Sequence, residues 1–204
     1  MIDNFANRAA DWDNPSKIDM TSKFVEALLQ RIEISNSWRA MEIGAGTGLV
    51  GLQLMPKLKS IVFEDTSTAM LEVLLRKLAN AHAAEILDAE VFAYQKRDID
   101  FVFACMAFHH IPDIEATLKH MHGITTNRAY IVIGDIRTED GSFHHFEPIP
   151  HKGFDTATLS KVLKSTGFET LSCSTYNVLT RERSPGKFTD YEQFILVARK
   201  CCEI

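Results

Sequence analysis

The sequence predicts an α/β fold, a doubly wound and mostly parallel seven-stranded sheet, folded as one domain over residues 1–204. Three observations predict it. Short apolar runs alternate with amphipathic helical segments along the whole chain. A glycine cluster, Gly44-Ala45-Gly46-Thr47-Gly48, stands where the first run gives way to a helix. Phe101–Ala107 is continuously apolar, as a strand buried on both faces must be. In sheets of this kind ligands collect outside the carboxyl ends of the strands, near the reversal in strand order.

The elements follow in order. Phe5–Asp11 reads as a short helix, and Asn14-Pro15-Ser16 as a turn and cap. A helix then runs to about Ile34, with Ile18, Phe24, Val25, Leu28, Leu29 and Ile32 on one face. Ala40–Ile43 is the first strand, and Leu49–Met55 a short helix stopped by Pro56. Ser60–Phe63 is the second strand, ending in Glu64-Asp65. Thr66 or Ser67 caps a helix with the stripe Met70, Leu71, Leu74, Leu75 and Leu78.

The third strand falls at Ala84–Leu87, because Val91–Tyr94 would leave almost no connection before Phe101–Ala107. Pro112 opens a helix to about His122, and Ala129–Ile133 is the fifth strand. Asp155 caps a helix that ends at Gly167. The last two strands, Glu169–Val178 and Gln193–Ala198, flank a charged loop, Arg181–Asp190.

Composition narrows the function. The 204 residues are 46% hydrophobic and 24% charged, so a chain of this length buries a core of roughly 70% of its unfolded surface without covalent staples. A formal charge of −5 argues against a nucleic-acid partner, whose affinity is mostly electrostatic. No run approaches the roughly 20 apolar residues of a membrane span, and Met1–Lys17 lacks the core of a signal peptide. No membrane association and a cytoplasmic location are therefore expected. The cysteines Cys105, Cys173, Cys201 and Cys202 form no Cys-x-x-Cys pair, and Cys105 reads as a small buried hydrophobe. No sequence feature sets an oligomeric state.

The spacing of the glycine cluster discriminates between ligands. A dinucleotide fingerprint requires glycine at position 49, which is Leu49, so a nicotinamide oxidoreductase is disfavoured. A phosphate loop requires Gly-Lys-Ser/Thr, and no such triplet follows. Glu64-Asp65 at the end of the second strand can accept hydrogen bonds from both hydroxyls of a ribose. Loop and acid together point to an adenosine-type ligand.

These residues resemble the class I S-adenosylmethionine-dependent methyltransferases over most of the chain. Glu42–Gly48 looks like the family's first motif, whose backbone meets the methionine part of the cofactor. Phe63-Glu64-Asp65-Thr66-Ser67 with Met70-Leu71 resembles the second, which would place Asp65 on the ribose. Leu87-Asp88-Ala89-Glu90 falls where the family has an acid near the adenine; Asp88 and Glu90 compete for that role. Asp100–Asp113, with Cys105 and His109-His110-Ile111-Pro112, is similar to the fourth-strand segment of small-molecule methyltransferases. Phe5–Asp13 resembles the N-terminal cap of one bacterial and fungal branch. Glu139–His144 and His151–Asp155 resemble that branch's lid.

The resemblance implies a Rossmann-like methyltransferase sheet with an antiparallel last strand, cap helices over 1–35 and a lid loop over 136–154. It implies S-adenosyl-L-methionine as cofactor, bound by Glu42, Gly44, Ala45, Gly46, Gly48, Asp65, Thr66, Glu90 and Cys105. Two motifs of the family are absent. Ile124–Arg128 stands where Lys-Pro-Gly-Gly is common. Ala104-Cys105-Met106-Ala107 replaces the Asn-Pro-Pro-Tyr of base and amide methyltransferases, which argues against those acceptors.

The cofactor's sulfonium activates its own methyl group, so the protein must mainly align the acceptor, a contribution of several kcal/mol at about near-attack distance. A hydroxyl or ammonium acceptor also needs a base, for which histidine is suited. His109 and His110 are the expected catalytic residues, with His144, His145 and His151 around the same mouth. Trp12, Asp135, His145 and His151 are expected to meet the substrate, and Phe5 to wall the pocket. Arg181 and Arg183 read as a solvated patch. No metal is expected, because His144, His145 and His151 with Asp135 and Glu147 follow no zinc spacing. The expected reaction is methyl transfer to an oxygen, nitrogen or sulfur of a small molecule. Methylation of protein or RNA, or a non-catalytic cofactor-binding regulator, are the alternatives.

Overall fold

A computed structural model describes residues 5–79 and 81–201. The first four residues of the expected cap, and Cys202, lie outside them. The strands are β1 (Arg39–Ile43), β2 (Ser60–Asp65), β3 (Ala84–Asp88), β4 (Ile99–Cys105), β5 (Thr125–Ile136), β6 (Phe168–Ser184) and β7 (Lys187–Lys200). The helices are α1 (Pro15–Leu29), α2 (Gly51–Leu54), α3 (Thr68–Leu78), α4 (Ile114–Ile124) and α5 (Thr156–Ser165). They form one seven-stranded sheet in the order β3-β2-β1-β4-β5-β7-β6. Only β7 runs antiparallel to its neighbours β5 and β6. Strand order reverses between β1 and β4, so their following loops diverge there and open a mouth.

Both faces of the sheet are covered. Along β4, Phe101 and Phe103 pack with Phe24 and Leu28 of α1 and Leu71 and Leu74 of α3. Val102 and Ala104 pack on the other face with Leu118 and Met121 of α4 and Leu159 and Leu163 of α5. Alternate residues of one apolar run thus feed two cores. No helix among the described residues is long and apolar enough to cross a membrane.

The helices start where side chains can satisfy their first N–H groups. Asn14 accepts from Lys17 N at 3.1 Å, with Pro15 at the first helical position. Ser67 accepts from Met70 N at 3.3 Å, which decides the choice between Thr66 and Ser67. Asp113 accepts from Ala116 N at 2.9 Å, so α4 begins after Asp113 and not at Pro112. Asp155 accepts from Thr158 N at 2.8 Å, as expected.

Other boundaries also differ from expectation. Helix α1 stops at Leu29, before Ile34. The segment after Leu49 is one turn of α-helix, Gly51–Leu54, continued as a 3-10 turn over Met55–Lys57 that contains Pro56. β5 starts at Thr125 because a bulge absorbs the residues before Ala129. Register jumps from Ile99 opposite Thr125 to Phe101 opposite Tyr130, with Arg128 at φ 62°.

The largest difference is Arg181–Asp190, which is the tip of a long hairpin and not a loop. Arg181 pairs with Thr189, Glu182 with Phe188, and Pro185-Gly186 makes the turn with Gly186 at φ 74°. Charge obscured a period-two pattern, since a ribbon extending past the helices can present polar residues to water. Thr180 Oγ1 donates to Asp190 Oδ1 across it at 2.6 Å.

Candidate active site

The loop after β1 is held in a left-handed backbone at Gly44 (φ 63°), Gly46 (φ 54°) and Gly48 (φ 79°), where a Cβ is strained. The three glycines serve different ends. A Cβ on Gly44 would lie 2.5 Å from Ala107 Cβ, and one on Gly48 would lie 2.4 Å from Leu74 Cδ1. These two let the loop pack against the segment after β4 and against α3. At Gly46 the nearest atom is Trp12 Nε1 at 3.9 Å. The space before Gly46 is therefore open to a ligand.

Acidic side chains at the end of β2 tie the loop down. Gly44 N donates to Glu64 Oε2 at 3.0 Å, and Ala45 N to the Glu64 carbonyl at 2.8 Å. Asp65 accepts from Gly46 N at 2.6 Å and from Ser67 N at 2.8 Å through different oxygens. Burial pushes Glu64 up to about 8, and the neighbouring charges of Asp65 and Glu90 add to it. Glu42 lies beneath the loop, 3% exposed, accepting from Gly51 N at 3.0 Å. It fixes the turn into α2.

Thr66 is exposed beside Asp65. The Asp88 carboxylate receives Thr68 Oγ1 at 2.9 Å, whereas the exposed Glu90 acts electrostatically on Glu64. Cys105 is half-buried at the end of β4, and burial pushes its thiol up.

The N-terminal segment closes over this floor. Ala6–Asp11 is a 3-10 helix. Asp13 accepts from Thr47 Oγ1 and pairs with Lys77, which also donates to the Thr47 carbonyl at 2.7 Å. Phe5 meets the Trp12 ring edge-on at 5.8 Å and the His110 ring at 5.4 Å. Lys17 Nζ lies 4.0 Å from the Trp12 ring centroid, and burial with the nearby Arg181 charge lowers Lys17 to about 8.

On the other side of the mouth, Phe108–His110 form a 3-10 turn after β4. Asp135, fully buried near the end of β5, accepts from His109 N at 3.1 Å and from Ile136 N at 2.7 Å. Its Oδ1 is 2.7 Å from His109 Nδ1, a contact that assigns the proton to Nδ1 and leaves Nε2 as the free acceptor. His144 completes the group: ring centroids are 4.1 Å apart for His109–His110, 4.8 Å for His109–His144 and 5.3 Å for His110–His144. Burial, reinforced by the neighbouring histidines, lowers His110 to about 3; burial and His109 lower His144 to about 4.

The hairpin holds His144 in place. Phe143 is buried and meets Tyr191 edge-on at 5.2 Å, while the Arg181 guanidinium lies 3.7 Å over its ring and donates to its carbonyl at 2.8 Å. Ser142 Oγ and Arg183 both reach the Tyr191 hydroxyl, at 2.7 and 2.8 Å. Arg181 and Arg183 are therefore docked on the 142–144 turn and are not a solvated patch.

The fold separates the remaining expected residues. His145 is exposed, with φ 55°, and it is His144 that joins the cluster. His151 is a brace, its Nε2 2.9 Å from the Ile111 carbonyl and its ring 5.3 Å from Phe154. Lys17, Phe143 and Gln193 were missed by sequence reasoning. Gln193 is fully buried, 2.9 Å from Met106 Sδ and bound by Asn177 at 2.7 Å. A lone amide within the apolar run Phe194–Ala198 and its flank was the signal. Lys17, in the first turn of an amphipathic helix, offered none.

With this geometry in hand, comparison with known proteins is informative. Residues 41–131 match the model of a methyltransferase domain family. An uncharacterized methyltransferase of Oceanobacillus iheyensis is 29% identical over 118 residues, 56% of this chain and 54% of that protein. The chain thus spans about half the length of this curated relative. A chain of the complex between the Haloferax volcanii Trm112 methyltransferase activator and a methyltransferase superposes with a TM-score of 0.82 and 14% identity, covering 99% of this chain and 100% of that one. A SAM-dependent methyltransferase from Aquifex aeolicus superposes with a TM-score of 0.71 and 17% identity, over 96% and 98% of the two chains. At these identities the structural likeness is one of fold.

Proposed function

We propose that this chain is a class I S-adenosylmethionine-dependent methyltransferase that transfers the cofactor's methyl group to an oxygen, nitrogen or sulfur of a small molecule. One observation carries the reading: Gly46 and His110 are joined by Trp12 and Phe5, so the backbone cradle and the histidines share one mouth under one cap. S-adenosylmethionine, when bound, supplies a methyl group already activated by its sulfonium. Gly46 gives the close backbone approach, Asp65 receives the ribose hydroxyls, and Glu90 faces the adenine. Trp12 and Phe5 exclude water.

On the acceptor side, Asp135 fixes the tautomer of His109 so that Nε2 can accept a proton or hold a hydroxyl by hydrogen bond. His110 and His144, neutral at pH 7, add acceptors without adding charge. Residues 136–154 act as a lid, with Phe143 and His144 as its inner face. The test is release of S-adenosylhomocysteine against a panel of small metabolites, with protein and RNA fractions in parallel. Turnover with a small molecule supports the reading. Labelling confined to a macromolecular fraction would overturn the substrate class, and no turnover despite cofactor binding would make the chain a regulator.

A further inference from the structure

We propose that His109, His110 and His144 form a site for one divalent transition-metal ion of the zinc or cobalt class, with an open position toward the cleft. The three residues each offer a ligand nitrogen, and these atoms lie within 4.8 Å of one another. Tetrahedral bonds of about 2.0–2.1 Å need nitrogens roughly 3.4 Å apart. Small ring rotations and a shift of the 142–144 turn close that gap.

Two further observations point to a ligand. Asp135 holds His109 through Nδ1 at 2.7 Å, which leaves Nε2 as the atom to offer a metal; a carboxylate behind a histidine is the usual outer support of a metal ligand. His144 Nδ1 is buried with no hydrogen-bond partner among the described residues, and an unmade bond at a buried polar atom costs about 1–3 kcal/mol. A metal would satisfy it. Three imidazoles with a fourth position open is the donor set of a catalytic site and not of a closed structural one. The sequence expectation of no metal rested on His144, His145 and His151 with Asp135 and Glu147; the fold instead brings His109 and His110 to His144.

The role of the ion rests on the methyltransferase reading. An acceptor hydroxyl or thiol at the open position would be held in its more acidic, metal-bound form. The Nε2 lone pair of His109 is then committed to the metal, and the acceptor's proton passes to bulk water.

The experiment uses the untagged full chain, stripped with chelator and titrated with Co²⁺ while visible absorption is recorded, followed by Zn²⁺ competition. The expected result is a tetrahedral cobalt spectrum saturating at one equivalent. His144→Ala and His110→Ala should each weaken binding at least 100-fold, about 2.7 kcal/mol, and Asp135→Asn about 10–100-fold. Replacing Cys201 and Cys202 by serine should change nothing. No uptake at one equivalent, full affinity in His144→Ala, or loss only in the cysteine variant would overturn the site. Calorimetry with S-adenosylmethionine on the same variants checks folding and separates the two claims. Cofactor binding without metal uptake sinks the metal site alone, and metal uptake without cofactor binding sinks the methyltransferase reading alone.

Discussion

At the ends of β1 and β2 the mouth is lined by main chain: three left-handed glycines, with two adjacent carboxylates that receive the N–H groups of Gly44 and Gly46. At the ends of β4 and β5 it is lined by side chains: His109 on Asp135, 26 residues away, and His144 carried on a turn that the distant hairpin clamps. The first region needs only two short contiguous segments, brought together by one pair of adjacent parallel strands. The second needs the whole sheet to be assembled before its groups meet. A cofactor common to many enzymes can be held by backbone, whereas the acceptor's chemistry depends on side chains that can be exchanged one at a time.

The largest effect should separate glycines within the first region. Gly44→Ala combines a left-handed backbone with a 2.5 Å clash on Ala107, and should cost about 3 kcal/mol in denaturant unfolding. Gly46→Ala has room for its Cβ and should cost only about 1–2 kcal/mol, while weakening cofactor binding at least tenfold. Equal stability losses in the two variants would break the distinction between a packing glycine and a ligand glycine.

Asp135→Asn probes the second region. Asn has one accepting oxygen where Asp135 uses two, so His109 loses its fixed tautomer. Turnover should fall at least tenfold while the calorimetric Kd for S-adenosylmethionine stays within threefold. A matching loss of cofactor affinity would mean that the two regions are not separable.

The two regions should also titrate in opposite directions. Glu64 is raised to about 8, so the folded protein keeps a proton that the unfolded chain loses near 4.5. Its contribution is full below that pH and disappears as pH rises through 8. His110 and His144 are lowered to about 3 and 4. Their contribution is full above about 6.5 and is lost as pH falls toward those values. Glu64→Gln should therefore flatten the fall of Tm between about pH 4.5 and 8 and leave the limb below pH 4.5 unchanged. The smallest effect is expected at the clamp: Arg181→Ala should lower Tm by only about 2–4 °C, for a loss near 1 kcal/mol, and reduce turnover more than cofactor affinity.

This contrast explains what the sequence made legible. Gly44–Gly48 and Glu64-Asp65 are contiguous, so their spacing already excluded a dinucleotide and a phosphate loop. The strands β1, β2 and β4 were recognisable because burial on both faces writes them as apolar runs, whereas β3, a partly buried edge strand, was placed by the length of its connections. The hairpin tip was not, because Arg181–Asp190 is polar on both faces apart from the exposed Phe188, and only Pro185-Gly186 marked the turn. His109 and His110 were found from their place after an apolar strand. His144 could not be told from His145, since Gly141 and His145 take positive φ and turn one ring in and the other out. Lys17 reaches the site only because Trp12 folds back over the glycine loop.

The central claim is that Gly46 and Asp65 hold S-adenosylmethionine beside the histidine cluster. Calorimetric titration of S-adenosylmethionine and S-adenosylhomocysteine into the wild type and Asp65→Ala tests it directly. One site with micromolar affinity for both ligands is expected, weakened at least 30-fold, about 2 kcal/mol, in Asp65→Ala. Indifference of the wild type to both ligands, or an Asp65→Ala variant that binds as tightly, would contradict it.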